Sequence, residues 1–252
     1  MWLNGIGIQD ISRVVNLVDV IQYPPERDIQ VEERAKYHGM RYLGTTIGKR
    51  VIEVLFDIKV KDPALRQIIL DELLGTFDAN GELELQSRDG QYLNVVCTSA
   101  PAADSMRDYA HTLALEYTSY DPFWKTTQRA TAIGSLAAGT ESELSIIPAG
   151  NTDQTFLEFT LENTSASTIN DFTIGVNGYE FTFASLGLAA GKTLVCAYDS
   201  EGYLTLTIDG NSVMGKRTGD DDLLLNIGES NTVSATAEYA ATLTLYARGL
   251  WK

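Results

Sequence analysis

The chain is short of the residue types that carry most enzyme chemistry and most nucleic-acid recognition. Its 252 residues include 2 histidines, 2 cysteines and only 19 lysines and arginines against 34 aspartates and glutamates, for a formal charge of −15. Duplex binding depends on lysine and arginine neutralising the phosphates, so a partner held by its backbone charge is excluded. The deficit is general, with 13 basic and 19 acidic residues up to Gln128 and 6 and 15 after it, so neither half conceals a basic tail. Cys97 and Cys196 lie far apart with no CxxC spacing, which supports neither a disulfide framework nor a thiolate metal site. No lysine or arginine precedes Arg13 and no apolar h-region follows, so an ordinary secretory leader is not expected. No uncharged apolar run reaches the roughly 18 residues that a membrane-spanning helix requires. The expectation is a soluble protein assembled in a cytoplasm, without membrane insertion and large enough to bury a core in each half.

The same shortages limit catalysis. A nucleophile needs a base within reach, and the only histidines are His38 and His111. His111 alternates with Leu113 and Leu115, as a sheet-face residue does, and His38 abuts Gly39 in a charged segment, as a turn residue does. Carboxylates are plentiful and a glycosidase needs only two across a cleft, yet no pair stands out. Asp220, Asp221 and Asp222 are consecutive and lack the alternating ligand spacing of a calcium loop; Asp199-Ser200-Glu201-Gly202 is a weaker fragment still. Asn163-Thr164-Ser165 fits the glycosylation sequon but has no leader to bring it into use. Gly5-Ile6-Gly7 is followed by no βαβ pattern and reads as a turn entering the first strand. No catalytic residue, cofactor site or metal site is expected.

Most of the chain has the period-two pattern of strands. Ile52, Val54, Phe56, Ile58 and Val60 alternate with Glu53, Asp57 and Lys59. Only one helix is expected. Asp62 supplies an N-cap and Pro63 a first-turn residue that needs no N–H; Leu65, Ile69 and Leu73, with Ile68 and Phe77, form its apolar stripe before Gly75 and Asn80-Gly81 end it. A hairpin follows, with Leu83 and Leu85 on one arm, Asp89-Gly90 at the turn and Tyr92 to Cys97 on the other. Leu113, Leu115 and Tyr117 line a last strand. Asp121-Pro122-Phe123-Trp124 comes next, then a stretch poor in charge from Thr126 to Thr140, read as the domain boundary.

The second half shows strands and turns with no helix candidate. Leu157, Phe159 and Leu161 alternate with polar residues. Phe172, Ile174 and Val176 run into Asn177-Gly178 and return as Tyr179, Phe181 and Phe183, the strongest hairpin signal in the chain. Later strands run from Leu194 to Tyr198, from Leu204 to Ile208 and from Ala241 to Tyr246. Many short strands at this spacing point to a β-sandwich or jelly roll. Tyr179, Phe181 and Tyr203 sit at alternating positions and read as core in preference to a sugar platform.

Residues 22–50 are different. Tyr23-Pro24-Pro25-Glu26-Arg27-Asp28 blocks a central strand, and Glu32, Glu33, Arg34 and Lys36 follow. The segment is too polar for core and too long for an ordinary connection. A hairpin arm reaching a neighbour and a mobile surface loop both fit this composition.

The order of several motifs resembles the distal tail protein family of siphophages, a tail-hub component. Asn4-Gly5-Ile6 leads to a valine-rich strand; Pro24, Pro25, Arg27 and Asp28 open an arm; Tyr37-His38-Gly39-Met40-Arg41-Tyr42 leads through Gly48-Lys49-Arg50 into the Ile52 strand. Asp62-Pro63 opens the helix, Asp121-Pro122-Phe123-Trp124 closes the first domain, and Arg248-Gly249-Leu250-Trp251 ends the chain. The likeness is firm over 1–128 and looser beyond.

The resemblance implies a mainly β protein. Its N-terminal domain, 1–128, would be a ring-forming β-sandwich with one α-helix and a belt hairpin at about 22–50. Its C-terminal domain, 129–252, would be a galectin-like β-sandwich. In that picture Pro24, Pro25, Arg27, Asp28, Tyr37, Gly39, Arg41 and Tyr42 belong to the ring-interface arm. The implied partners are further copies in a homo-hexamer, the tail tube protein, the tail-associated hub or lysin protein and, in some members, receptor-binding proteins. The protein would sit at the distal end of the virion tail, and DNA would pass through the ring without being bound. A carbohydrate-binding adhesin is the rival from composition, and a glycosidase the weakest reading.

Overall fold

The structure is a computed structural model that describes residues 1–33, 40–99, 102–107, 110–199 and 202–252, with the backbone alone for 32–33, 40–43, 102–107 and 110–111. The chain divides into two compact units, Met1–Lys125 with Lys252, and Thr126–Trp251.

The first unit begins with a tight hairpin. Strands β1 (Trp2–Leu3) and β2 (Ile6–Gly7) pair antiparallel around Asn4-Gly5, whose φ angles of 52° and 77° suit the primed turn that matches strand twist. Gly5-Ile6-Gly7 is thus the return arm of a hairpin. It leads into α1 (Ile8–Ile11), held by a 2.8 Å bond from the Gly7 N–H to the Asp10 carboxylate. Four residues are too few to show a helical period, which is why this second helix was not expected.

The remaining elements are β3 (Val15–Gln22), β4 (Arg27–Glu33), β5 (Met40–Ile47), β6 (Arg50–Lys59), α2 (Pro63–Phe77), β7 (Gly81–Glu84), β8 (Gln91–Cys97), β9 (Ala102–Arg107) and β10 (Ala110–Ser119). An antiparallel sheet runs β2-β1-β7-β8-β10-β6-β3, with β9 also on β10. Ile52, Val54, Phe56 and Ile58 of β6 point inward as their period requires, and so do Leu113, Leu115 and Tyr117 of β10.

The Asp62 carboxylate caps α2 by accepting from the Ala64 N–H at 2.9 Å. The buried face of α2 is Arg66, Ile69, Leu70, Leu73 and Phe77. Leu65 and Ile68, placed in the stripe by spacing, are 47% and 55% exposed, because a stripe about 100° wide centred on Leu73 leaves them on its flank. Phe77 meets Phe56 with ring centroids 5.7 Å apart, and fully burying each such side chain contributes about 2 kcal/mol.

The second unit contains β11 (Trp124–Leu136) from Thr126 onward, its first two residues belonging to the first unit, and β12 (Ser142–Ile146), β13 (Gln154–Asn163), β14 (Phe172–Val176), β15 (Tyr179–Phe183), β16 (Thr193–Tyr198), β17 (Leu204–Ile208), β18 (Asn211–Ser212), β19 (Arg217–Gly219), β20 (Leu224–Asn226), β21 (Asn231–Ala237) and β22 (Ala241–Trp251). They form a β-sandwich. One sheet runs β18-β17-β16-β13-β22-β11 and the other β12-β21-β14-β15-β19. Between them lie Leu157, Phe159 and Leu161 of β13, Phe172 and Ile174 of β14, Phe181 and Phe183 of β15, and Leu243 and Leu245 of β22, all buried. The Asn177-Gly178 hairpin is present as expected, with φ of 53° and 87° at the turn.

Two expectations need correction here and one gains detail. The stretch beginning at Thr126, read as a boundary for its small uncharged residues, starts where the second unit starts, and it is also mostly the 13-residue strand β11, whose alternation of small and polar residues is a strand pattern. The last strand runs on to Trp251, and within it Gly249 is needed, since a Cβ there would lie 2.6 Å from the Ala149 carbonyl oxygen. Tyr203 is 66% exposed beside a turn and is not core, whereas Phe181 is buried in the core and Tyr179 packs against it as expected.

Candidate assembly surface

The segment between β3 and β6 forms a two-stranded ribbon. Strands β4 and β5 pair from Arg27↔Ile47 to Glu33↔Met40, with a register shift between Gln30 and Val31. Among the described residues neither strand pairs with any other, so the ribbon's outer edges keep open rows of N–H and C=O groups. An isolated two-stranded ribbon is marginally stable in water.

Its root is fixed by backbone bonds. The Glu26 N–H donates to the Lys49 carbonyl at 2.9 Å, the Gly48 N–H to the Glu26 carbonyl at 2.8 Å, and the Tyr23 N–H to the Val51 carbonyl at 3.1 Å. Pro24 and Pro25, which have no N–H to offer, occupy the step where the chain leaves β3 for β4. Arg27 and Asp28 are exposed at the start of β4. Arg41 and Tyr42 lie on the β5 backbone opposite Glu32 and Val31. Tyr37 and Gly39, with His38, lie outside the described residues.

Apolar side chains face solvent along this region. On the ribbon, Ile29 is 58% exposed and Val31 48%; on β3, Leu17, Val18 and Ile21 are exposed, and so is Tyr23 just after it. Strand β3 pairs only with β6 among the described residues, so it is a sheet edge, and a bulge at Val18 turns it outward. Apolar residues gathered on unpaired strands mark a surface that another chain covers. The β3 residues were missed from sequence; the signal was the adjacent pair Leu17-Val18, which breaks strict alternation where the bulge sits.

The segment Asp121–Trp124 is a structural corner. The Ser119 hydroxyl donates to the Asp121 carbonyl at 2.6 Å, the Asp121 carboxylate pairs with Lys125 at 2.7 Å, Pro122 is buried, and Phe123 is half-buried. Trp124 is fully buried with the Arg88 guanidinium 4.8 Å above its ring. Elsewhere, burial first, then the charges of Cys97 and Asp78, pushes the Tyr117 phenol up, and burial raises the thiols of both Cys97 and Cys196. The His111 backbone pairs opposite Ile58. Among the described residues no cluster of metal-ligating side chains occurs.

Residues 8–116 match the family model of the phage tail protein RIFT-related domain. This segment is similar to a phage tail protein domain. It contains the ribbon, its root and β3, and it ends just before the Asp121–Trp124 corner. The chain also has the fold of the Dit protein (gp 19.1) of phage SPP1, described as a paradigm of the hub adsorption apparatus in phages infecting Gram-positive bacteria. The two are 10% identical, the match covers 98% of this chain and 97% of that one, and the TM-score is 0.72. A chain in the activated baseplate of phage p2 is more distant, at 8% identity, 90% and 92% coverage and a TM-score of 0.48. No curated protein sequence matches the chain. The domain match and the whole-chain fold together support the resemblance to siphophage distal tail proteins drawn from the sequence motifs.

Proposed function

We propose that the chain is a distal tail (hub) protein, a structural component that forms a homo-hexameric ring at the distal end of a siphophage tail and joins the tail tube to the baseplate or tip. The observation that carries this reading is the whole-chain likeness to the SPP1 Dit fold, with 98% of this chain aligned. The unpaired ribbon supports it, since a neighbouring copy would satisfy its open edges and cover Ile29 and Val31. In this reading residues 1–128 form the ring, the ribbon is its belt, and the C-terminal galectin-like sandwich lies outside.

One face of the ring meets the tail tube protein and the other the tail-associated hub or lysin protein, with receptor-binding proteins as further partners. DNA leaves through the ring unbound, helped by a chain whose −15 charge repels phosphate. The role involves no turnover and no cofactor, and the protein is assembled in the host cytoplasm before residing in the virion.

Light scattering and negative-stain imaging of the full chain test this directly. The expected result is a six-fold ring; a full chain that stays monomeric at micromolar concentration overturns it. Deletion of residues 24–44 is expected to abolish the ring, and a deletant that still forms hexamers refutes the arm's role.

A further inference from the structure

Period two on β6 places Arg50 in line with Ile52, Val54, Phe56 and Ile58, so a guanidinium occupies the first inward-facing position of a core strand. Arg50 is only 3% exposed, and its Nε has no hydrogen-bond partner. The nearby acidic residue of the strand, Glu53, falls on the opposite face by the same periodicity. Across the sheet Arg50 pairs with Ser119, whose hydroxyl is already given to the Asp121 carbonyl. Five residues further along lies Trp124, fully buried, and its indole Nε1 also lacks a partner.

A second cation completes the group. Arg88, half-buried, lies over the Trp124 ring and donates from Nε to the Gln22 side-chain oxygen at 3.2 Å and from Nη1 to that of Gln91 at 3.4 Å. Gln22 ends β3 beside Ile52, which brings Arg88 to the Arg50 end of the sheet. No carboxylate joins the cluster among the described residues. Burial lowers the Arg50 pKa and the Arg88 charge lowers it further; burial also lowers that of Arg88. An uncompensated buried cation is among the costliest features a fold can carry, and the orphaned indole N–H beside it adds to the cost. A negative group with several acceptor oxygens would relieve all of these at once.

We propose that Arg50, Arg88 and the Trp124 indole form a binding site for an oxyanion, entered from the half-exposed Arg88 side. Its chemistry is that of a carboxylate or phosphate: a planar or tetrahedral set of oxygens accepting from guanidinium and indole N–H groups. Two sources supply it, a carboxylate from a neighbouring copy of this acidic chain and a free anion. The site adds to the hub reading and does not depend on it.

The test uses the full chain in sodium phosphate and in sodium chloride at equal ionic strength, with thermal melting and light scattering on the same samples. A saturable rise of about 3 °C in phosphate, lost in both Arg50→Met and Arg88→Gln, with unchanged particle mass, establishes the site with a free anion as ligand. No phosphate-specific rise in the assembled wild type, together with at least tenfold weaker self-association of Arg50→Met and Arg88→Gln and undiminished melting of their monomers, establishes the site with a subunit carboxylate as ligand. Equal melting in the two salts, with both variants assembling as the wild type does, overturns the proposal. Arg88→Gln keeps a donor amide at a half-exposed position, so it reports on the site if Arg50→Met fails to fold.

Discussion

The Tyr117 hydroxyl donates a 2.6 Å hydrogen bond to the Phe77 carbonyl, joining the last turn of α2 to the middle of the buried sheet across forty residues of chain. That carbonyl lies at a helix C-terminus, where the helix itself supplies no N–H, and Tyr117 is fully buried. Tyr117→Phe keeps the ring and leaves the carbonyl without this partner. The expected cost is about 1.5 kcal/mol in urea unfolding, with an unchanged far-UV spectrum.

The same tyrosine sets an alkaline limit. Burial raises its pKa in the folded state above the ordinary value of 10.0, so the folded chain holds the phenolic proton where the unfolded chain releases it. The stabilisation is complete below pH 10 and declines as pH rises beyond it, by up to about 1.4 kcal/mol per pH unit for one group. Tyr198 is raised for the same leading reason. Unfolding measured from pH 9 to 11.5 is expected to show a shallower decline in Tyr117→Phe than in the wild type; identical slopes would remove Tyr117 from this account.

Asp62→Ala takes away the side-chain acceptor for the Ala64 N–H at the start of α2. About 1 kcal/mol of stability is expected to be lost, and Asp62→Asn is expected to restore most of it. Equilibrium denaturation of the three proteins makes the comparison.

Asn163 illustrates a sequon used for packing. Its side chain is fully buried, donates to the Ser167 and Leu188 carbonyls at 2.7 and 2.8 Å, and accepts from the Ser165 N–H and hydroxyl. Asn163→Ala orphans several of these groups and is expected to destabilise by about 3 kcal/mol. Expression of the wild type in a glycosylating host is expected to leave this position unmodified by mass spectrometry.

On the ribbon, Ile29→Lys with Val31→Lys changes two exposed side chains. The stability of the isolated chain is expected to move by no more than about 0.5 kcal/mol, whereas self-association is expected to weaken tenfold or more. Sedimentation velocity and thermal melting read the two effects separately, and undiminished association would show that these residues are not covered by a partner.

The strands and turns were legible where a local rule determines them. Asn177-Gly178 fixes a hairpin because glycine and asparagine tolerate positive φ, and Ile52 to Ile58 fix a strand because period two admits no other element. Asp62-Pro63 fixed the start of α2, but its buried face was drawn one flank over, since Leu65 and Ile68 are apolar without being covered. The ribbon was readable only as one of two possibilities, because pairing between β4 and β5 depends on backbone register and not on apolar pattern. The Arg50 cluster was invisible for a related reason: residues 22, 50, 88, 91 and 124 come together only through the order of strands in the sheet.

The ribbon's open edges carry one further consequence, for divergence. A partner that docks by main-chain hydrogen bonds reads spacing and register, and reads side chains only where it covers them. Substitutions along β4 and β5 outside the apolar Ile29 and Val31 are then cheap, while a one-residue insertion or deletion moves every donor out of step and turns each side chain to the other face. Among relatives of this protein, the ribbon is expected to drift in composition except at its apolar positions and to hold its strand lengths and its bulge.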